Sequence, residues 1–241
     1  MSKQSHPDQP TYHPSRHRMR TFSDNRQAFF EGSDTPTDYL ERCLDTIAQR
    51  EPTIKAWVTL NEDNARQAAE ESTKRYRSGK PFSAIDGMPI GIKDVLQTRD
   101  MPTELGSPIF KGRETHMDSA SVNALRLAGA PIVGKTVTTE FAFVVPGPTT
   151  NPFDSNATPG GSSSGTSAAV GAGMVPAALG NQVVGSIIRP AAFCGNFAIK
   201  PTLGALHGGE GLSLSQLHLG VHAASLEVLW AVTYEIAQRG G

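Results

Sequence analysis

Thr158-Pro-Gly-Gly-Ser-Ser-Ser-Gly-Thr-Ser-Ala-Ala-Val-Gly-Ala-Gly-Met-Val-Pro-Ala-Ala-Leu-Gly-Asn-Gln-Val-Val-Gly-Ser-Ile-Ile-Arg-Pro-Ala-Ala-Phe-Cys-Gly-Asn-Phe-Ala-Ile-Lys-Pro-Thr-Leu-Gly204 sets two serine-bearing glycine turns around a run of small and apolar residues. Glycine tolerates positive φ and lets backbone N–H groups crowd a ligand, so this stretch predicts a site built largely from main chain. The small residues Ser167 to Gly173 read as a helix whose N-terminus points positive potential at Ser162, and Val175 to Leu179 as the strand behind it. A serine in such a turn is most often a turn or cap residue. As a nucleophile it needs a base.

The sequence offers one far upstream, in Asp86-Gly-Met-Pro-Ile-Gly-Ile-Lys-Asp94. Lys93 ends an apolar run with the pattern of a buried strand, and lysine is rarely buried unless paired or functional. Desolvation lowers a lysine's pKa, and a neutral amine can take a proton from a hydroxyl. A serine and a buried lysine therefore form a nucleophile and base without histidine.

Gly161-Ser-Ser, the small-residue helix, Gly185-Ser-Ile, Arg189-Pro-Ala-Ala-Phe-Cys-Gly195 and Lys200-Pro-Thr, with the upstream lysine motif and Asn151-Pro152, together resemble the amidase signature family of serine hydrolases. So long an ordered set is more specific than a lone G-x-S-x-G. The resemblance covers about residues 40 to 241 and implies an α/β fold with a central mixed sheet flanked by helices. It implies an amidase that hydrolyses a carboxamide to a carboxylate and ammonia or an amine. Ser186 corresponds to the acylated nucleophile, Ser162 to a bridging serine after a cis peptide bond from Gly161, and Lys93 to the base. Gly161 and Ser163 support the turn, and the backbone N–H groups of Val183, Val184, Gly185 and Ser186 form the oxyanion hole. No cofactor or metal is implied.

The chain departs from the family pattern at this place. Where Thr-Asp-x-Gly-Gly-Ser-Ile-Arg is common, it has Asn181-Gln-Val-Val-Gly-Ser-Ile-Ile-Arg189, so an acid becomes Gln182, a glycine becomes Val184, and Ile188 precedes the displaced arginine. Loss of an acid and an arginine together reads as a paired change, and a β-branched residue restricts φ where glycine does not. Ser164 likewise replaces a usual glycine.

Family members are longer, so the chain reads as the N-terminal part of an amidase domain, with a leader at 1–34 and the partial domain at 35–241. Two other functions stay open on this reading: a truncated, catalytically incompetent fragment, or a glutaminase-type amidotransferase subunit that needs partners. The substrate is a small-molecule amide of unread identity, and a homo-oligomer is left open.

The 241 residues are 38% hydrophobic and 19% charged, enough for one core, and a net charge of −1 argues against electrostatic nucleic-acid binding. Cys43 and Cys194 lack metal-ligand spacing and point to a reducing compartment; without an apolar run of membrane length or a signal peptide, the expected location is cytoplasmic. Residues 1–34 are polar and read as a flexible or loosely docked leader, with His6, His13 and His17 too irregularly spaced for a metal site. Helices are expected over Thr37–Arg50, Asn61–Arg77, Asp118–Ala128 and Ser225–Gln238, the last with Leu226, Leu229, Trp230, Ile236 and Ala237 on its packing face. Strands are expected over Ala56–Leu60 and Ala130–Gly134. Gly129-Ala-Pro-Ile-Val-Gly-Lys-Thr136 matches the phosphate-loop pattern literally, but a helix precedes its first glycine and a strand occupies its middle, so nucleotide binding is rejected.

Overall fold

The computed structural model describes residues 19–207 and 216–240. Period-two alternation assigns each strand two faces. In β2 (Ile90–Lys93), Ile90 and Ile92 enter one apolar cluster, while a Cβ at Gly91 would press on Trp57 and Thr136 in the other layer. In β4 (Ala177–Gln182), Ala177 and Leu179 join the first cluster and Ala178 the second. With β1 (Trp57–Leu60), β3 (Ile132–Thr136), β5 (Phe197–Ile199) and β6 (His218–Ala223) these make one sheet in the order β1-β3-β2-β4-β6-β5. β3, β2 and β4 run parallel, while β1, β6 and β5 pair antiparallel. The sheet is the mixed α/β sheet that the sequence predicts.

Helices cover both faces. α2 (Pro36–Ile54), expected over Thr37–Arg50, opens on a cap: Thr35 Oγ1 accepts from Asp38 N at 3.0 Å and donates to Asp38 Oδ2 at 2.7 Å, with proline at the first helical position. α2 and α3 (Glu62–Arg77) pack together, and Leu40, Leu44, Ile47, Ala65 and Ala69 meet α5 (Ser164–Gly171) residues Ala168 and Ala169 in one cluster. The opposite layer holds α4 (Ala120–Leu127) against α7 (Leu226–Arg239), with Val122, Leu125, Val228, Val232 and Ile236 in its cluster. Ser225 caps α7 by accepting from Val228 N at 3.2 Å. Among the described residues, no helix is long and apolar enough to cross a membrane.

Several expectations need correcting. Residues 1–18, with His6, His13 and His17, lie outside the described residues; within 19–34, Phe22 and Phe29 are buried and most other residues are exposed or half-buried. α1 (Ser23–Glu31) follows Phe22, and Phe22, Phe29 and Tyr39 meet edge to face at 5.3–6.1 Å in the core. Burial of each such ring is worth about 1.5–3 kcal/mol, which offsets the polar composition around it. β4 runs three residues past Leu179, to Gln182, and β5, β6 and a short helix α6 (Ile188–Cys194) form in stretches for which the sequence pattern assigns no element. α7 packs through Val228, Leu229, Val232 and Ile236; Leu226, Trp230 and Ala237 are exposed.

Candidate functional site

The C-terminal ends of the parallel strands β2 and β4 lie side by side, the edge where open α/β sheets present their ligands. Lys93 closes β2 and Asn181 stands one residue from the end of β4. The turn before α5 brings the first serine to them. The Gly161–Ser162 peptide is cis, and Lys93 Nζ lies 2.7 Å from Ser162 Oγ. The same amine is 2.6 Å from Asn181 Oδ1 and 3.5 Å from Asn181 O. Lys93 is fully buried and Ser162 is 1% exposed. Burial alone holds the Lys93 amine well below the ordinary lysine range.

A second buried lysine shows what is unusual about the first. Lys135, next to Ile92 in the β2–β3 register, is also fully buried, yet its Nζ lies 3.0 Å from Asp94 Oδ1 and donates to Thr103 Oγ1 at 2.7 Å. Burial pushes that amine down, and the Asp94 carboxylate pulls it back up. Among the described residues, Lys93 has only neutral acceptors. Lys135 sits on a strand and holds a carboxylate, an arrangement that leaves no phosphate cradle.

The cis turn is held from several sides. Thr139 N donates to Ser162 O at 3.1 Å, and Arg189 donates through Nε and Nη2 to Gly161 O at 3.2 and 2.6 Å. Ser163 Oγ donates to Asn181 O at 3.4 Å and Ser164 Oγ to Ser162 O at 3.3 Å, so Ser164 supplies a bond that a glycine could not. α5 comes close enough that a Cβ at Gly165 would overlap Ala56 O and Val137 N.

Ser186 is partly exposed and sits on the turn between β4 and α6. Its carbonyl accepts from Ser163 N at 3.3 Å, which ties the two serine turns together. Among the described residues, no hydrogen bond joins the Ser162 and Ser186 hydroxyls. Gln182 Oε1 accepts from Ile187 N at 2.8 Å and Ile188 N at 3.1 Å, so the amide standing in place of an acid caps the turn that carries Ser186. The arginine is therefore displaced rather than lost, and it has a defined task at Gly161. Val184 is 92% exposed and is not among the residues at positive φ, so its branched side chain meets no left-handed backbone. Among the described residues, nothing accepts from the amides of Val183, Val184, Gly185 or Ser186.

His222 on β6 was not singled out by the sequence, nor was Asn181. His222 is fully buried; burial and then the nearby Lys93 amine push its imidazole down to about 3. Its Nδ1 faces Asn196 Oδ1 at 3.2 Å, while Asn196 Nδ2 donates to Ser167 O and Oγ at 3.0 and 2.8 Å. A neutral ring in that setting donates from Nδ1 and leaves Nε2 bare, without a partner among the described residues. The sequence signal for Asn181 lay in strand length: a strand read to Leu179 hides it in a turn.

This geometry meets a consistent set of relatives. A family model for amidases matches residues 38–240. A glutamyl-tRNA(Gln) amidotransferase subunit from Chloroflexus aggregans is 37% identical over 223 residues, 90% of this chain and 44% of that protein. The like-named protein from Rhodopirellula baltica is 43% identical over 179 residues, 72% of this chain and 36% of its own length. Among solved structures, native peptide amidase from Stenotrophomonas maltophilia superposes with a TM-score of 0.83 at 32% identity, covering 89% of this chain and 47% of that one. The chain spans less than half the length of these relatives. The match over residues 38–240, together with a lysine, a cis-bonded serine and a second serine turn at one sheet edge, places this chain in the amidase family.

Proposed function

We propose that the chain carries the hydrolytic centre of an amidase, acting on a carboxamide through an acyl-enzyme on Ser186. The observation that carries this reading is the 2.7 Å contact between the Ser162 hydroxyl and a buried lysine that has no counter-ion among the described residues. A neutral Lys93 takes the Ser162 proton while Ser162 takes that of Ser186. The Ser186 oxygen then bonds to the amide carbon, and the carbonyl electrons move onto oxygen. Collapse of that intermediate breaks the C–N bond, and the nitrogen leaves with the proton returned from Lys93 through Ser162. Water repeats the sequence and frees the carboxylate. The free N–H groups of Val183, Val184, Gly185 and Ser186 receive the oxyanion, at about 3–4 kcal/mol per well-placed donor. The neighbouring amides of Ile187 and Ile188 are already engaged by Gln182.

The test is hydrolysis of simple aromatic and aliphatic carboxamides by the wild-type chain, Ser186→Ala and Lys93→Ala. Turnover is expected from the wild type alone. No turnover by the wild type refutes the reading for this chain, and equal turnover by Ser186→Ala removes Ser186 from it. A second reading, favoured by the names of the curated relatives, makes glutamine the amide and a glutamyl-tRNA the ammonia acceptor. Preference for glutamine over simple carboxamides would support it, and indifference to glutamine would refute it.

A further inference from the structure

We infer that Asn181 sets the direction of proton transfer at Lys93 by accepting both amine hydrogens, so that the single lone pair faces the Ser162 hydroxyl. The inference rests on the reading of Lys93 as the base. A neutral primary amine has two N–H bonds and one lone pair, and the Lys93 nitrogen has three oxygen partners at 2.6, 2.7 and 3.5 Å. Two of these, Oδ1 and the main-chain oxygen of Asn181, are carbonyl oxygens, which only accept. Ser162 Oγ alone can donate. The arrangement that satisfies all three puts N–H toward both Asn181 oxygens and the lone pair toward Ser162. If the side-chain amide were turned over, its NH2 would compete with Ser162 for that lone pair. Asn181 is thus a positioning residue that acts through Lys93.

The surroundings leave this role to Asn181. β4 and α5, which pack against β2, carry no ionisable side chain, and β3 contributes Lys135, already held by Asp94. From β6 come His222, kept neutral, and His218 at the Gln182 end of the strand; Arg189 from α6 is committed to Gly161 O. No carboxylate among them holds the Lys93 amine.

The experiment compares Asn181→Asp, Asn181→Leu and Asn181→Thr with the wild type by two readouts. The first is the pH titration of the Lys93 side-chain methylene signal in protein labelled with ¹³C-lysine, assigned by its disappearance in Lys93→Met. Asn181→Asp places a carboxylate against the amine and is expected to move that titration to higher pH by more than one unit, whereas Asn181→Leu is expected to leave it low. The second readout is the pH profile of carboxamide turnover. Its acid limb should move with the amine in Asn181→Asp, lowering kcat at neutral pH more than tenfold with KM little changed. Asn181→Leu should lower kcat without that move, and Asn181→Thr, which keeps an oxygen acceptor, should recover part of the loss. A wild-type titration in Asn181→Asp, or full kcat in Asn181→Leu, overturns the inference. Retained turnover in Lys93→Ala instead overturns the base reading, so the two failures are distinguishable.

Discussion

Lys93→Met tests the state of the buried amine through folding alone. In the unfolded chain this lysine is protonated up to about pH 10.4. In the fold, burial holds its pKa well below that value, and no carboxylate among the described residues restores it. Unfolding therefore takes up a proton between the folded and unfolded pKa values. The unfolded state binds more protons there, so the stability of the wild type rises with pH across that window and the cost of neutrality is largest at its low end. The slope contributed by one such group is about 1–1.4 kcal/mol per pH unit. Methionine fills a similar volume and has no proton to take up, so the variant loses that slope. It also leaves the Ser162 hydroxyl and the Asn181 side-chain oxygen without their partner, a penalty of about 1–3 kcal/mol that does not change with pH. The intercept thus mixes gain and loss, and the slope is the diagnostic quantity. Urea denaturation followed by far-ultraviolet circular dichroism at several pH values from about 8 to 10 gives it directly. The difference between the two stability curves should change steadily in favour of the wild type as pH rises. Parallel curves would mean that Lys93 is as protonated in the fold as out of it, and the lysine base would fall with that result.

The partnered lysine should respond differently. Lys135→Met strands the Asp94 carboxylate in the core with only the Glu104 amide for company, and should cost about 3–5 kcal/mol; adding Asp94→Leu should recover most of it, as read by denaturation midpoints. Gly165→Ala places a methyl against Ala56 O and Val137 N, so despite a helix-propensity gain of about 1 kcal/mol it should destabilise by about 1–3 kcal/mol net; a variant at least as stable as wild type would show that α5 can shift away from the residues that precede β1 and follow β3.

What the sequence revealed tracks how locally each feature is encoded. α2, α3 and α7 declare themselves through spacing, and α2 and α7 also through caps, because Thr35 and Ser225 act within three residues of where they stand. β6 does not: His218 to Ala223 contains a glycine and two histidines and becomes a strand only because β4 and β5 lie on either side of it. Phe22 and Phe29 likewise gain meaning only beside Tyr39, so a polar segment around them reads as a leader. At the site, Lys93 and Ser162 were legible because an ordered motif names both. Asn181 was not, since its work depends on a strand running three residues further than its apolar pattern.

The two buried lysines make the same point in chemical terms. Each ends or lies near the end of an apolar strand, they occupy neighbouring parallel strands, and neither is exposed. Burial penalises the cation in both cases, so burial alone does not distinguish the two amines. The difference lies in the charge of the acceptors. Asp94 compensates Lys135 for the loss of water and keeps a proton on it, whereas Ser162 and Asn181 offer Lys93 hydrogen bonds without charge. A carboxylate in place of Asn181 would make the Lys93 site resemble the Lys135 site. On this argument, the neutral side chain beside the lysine matters to the chemistry as much as the lysine does.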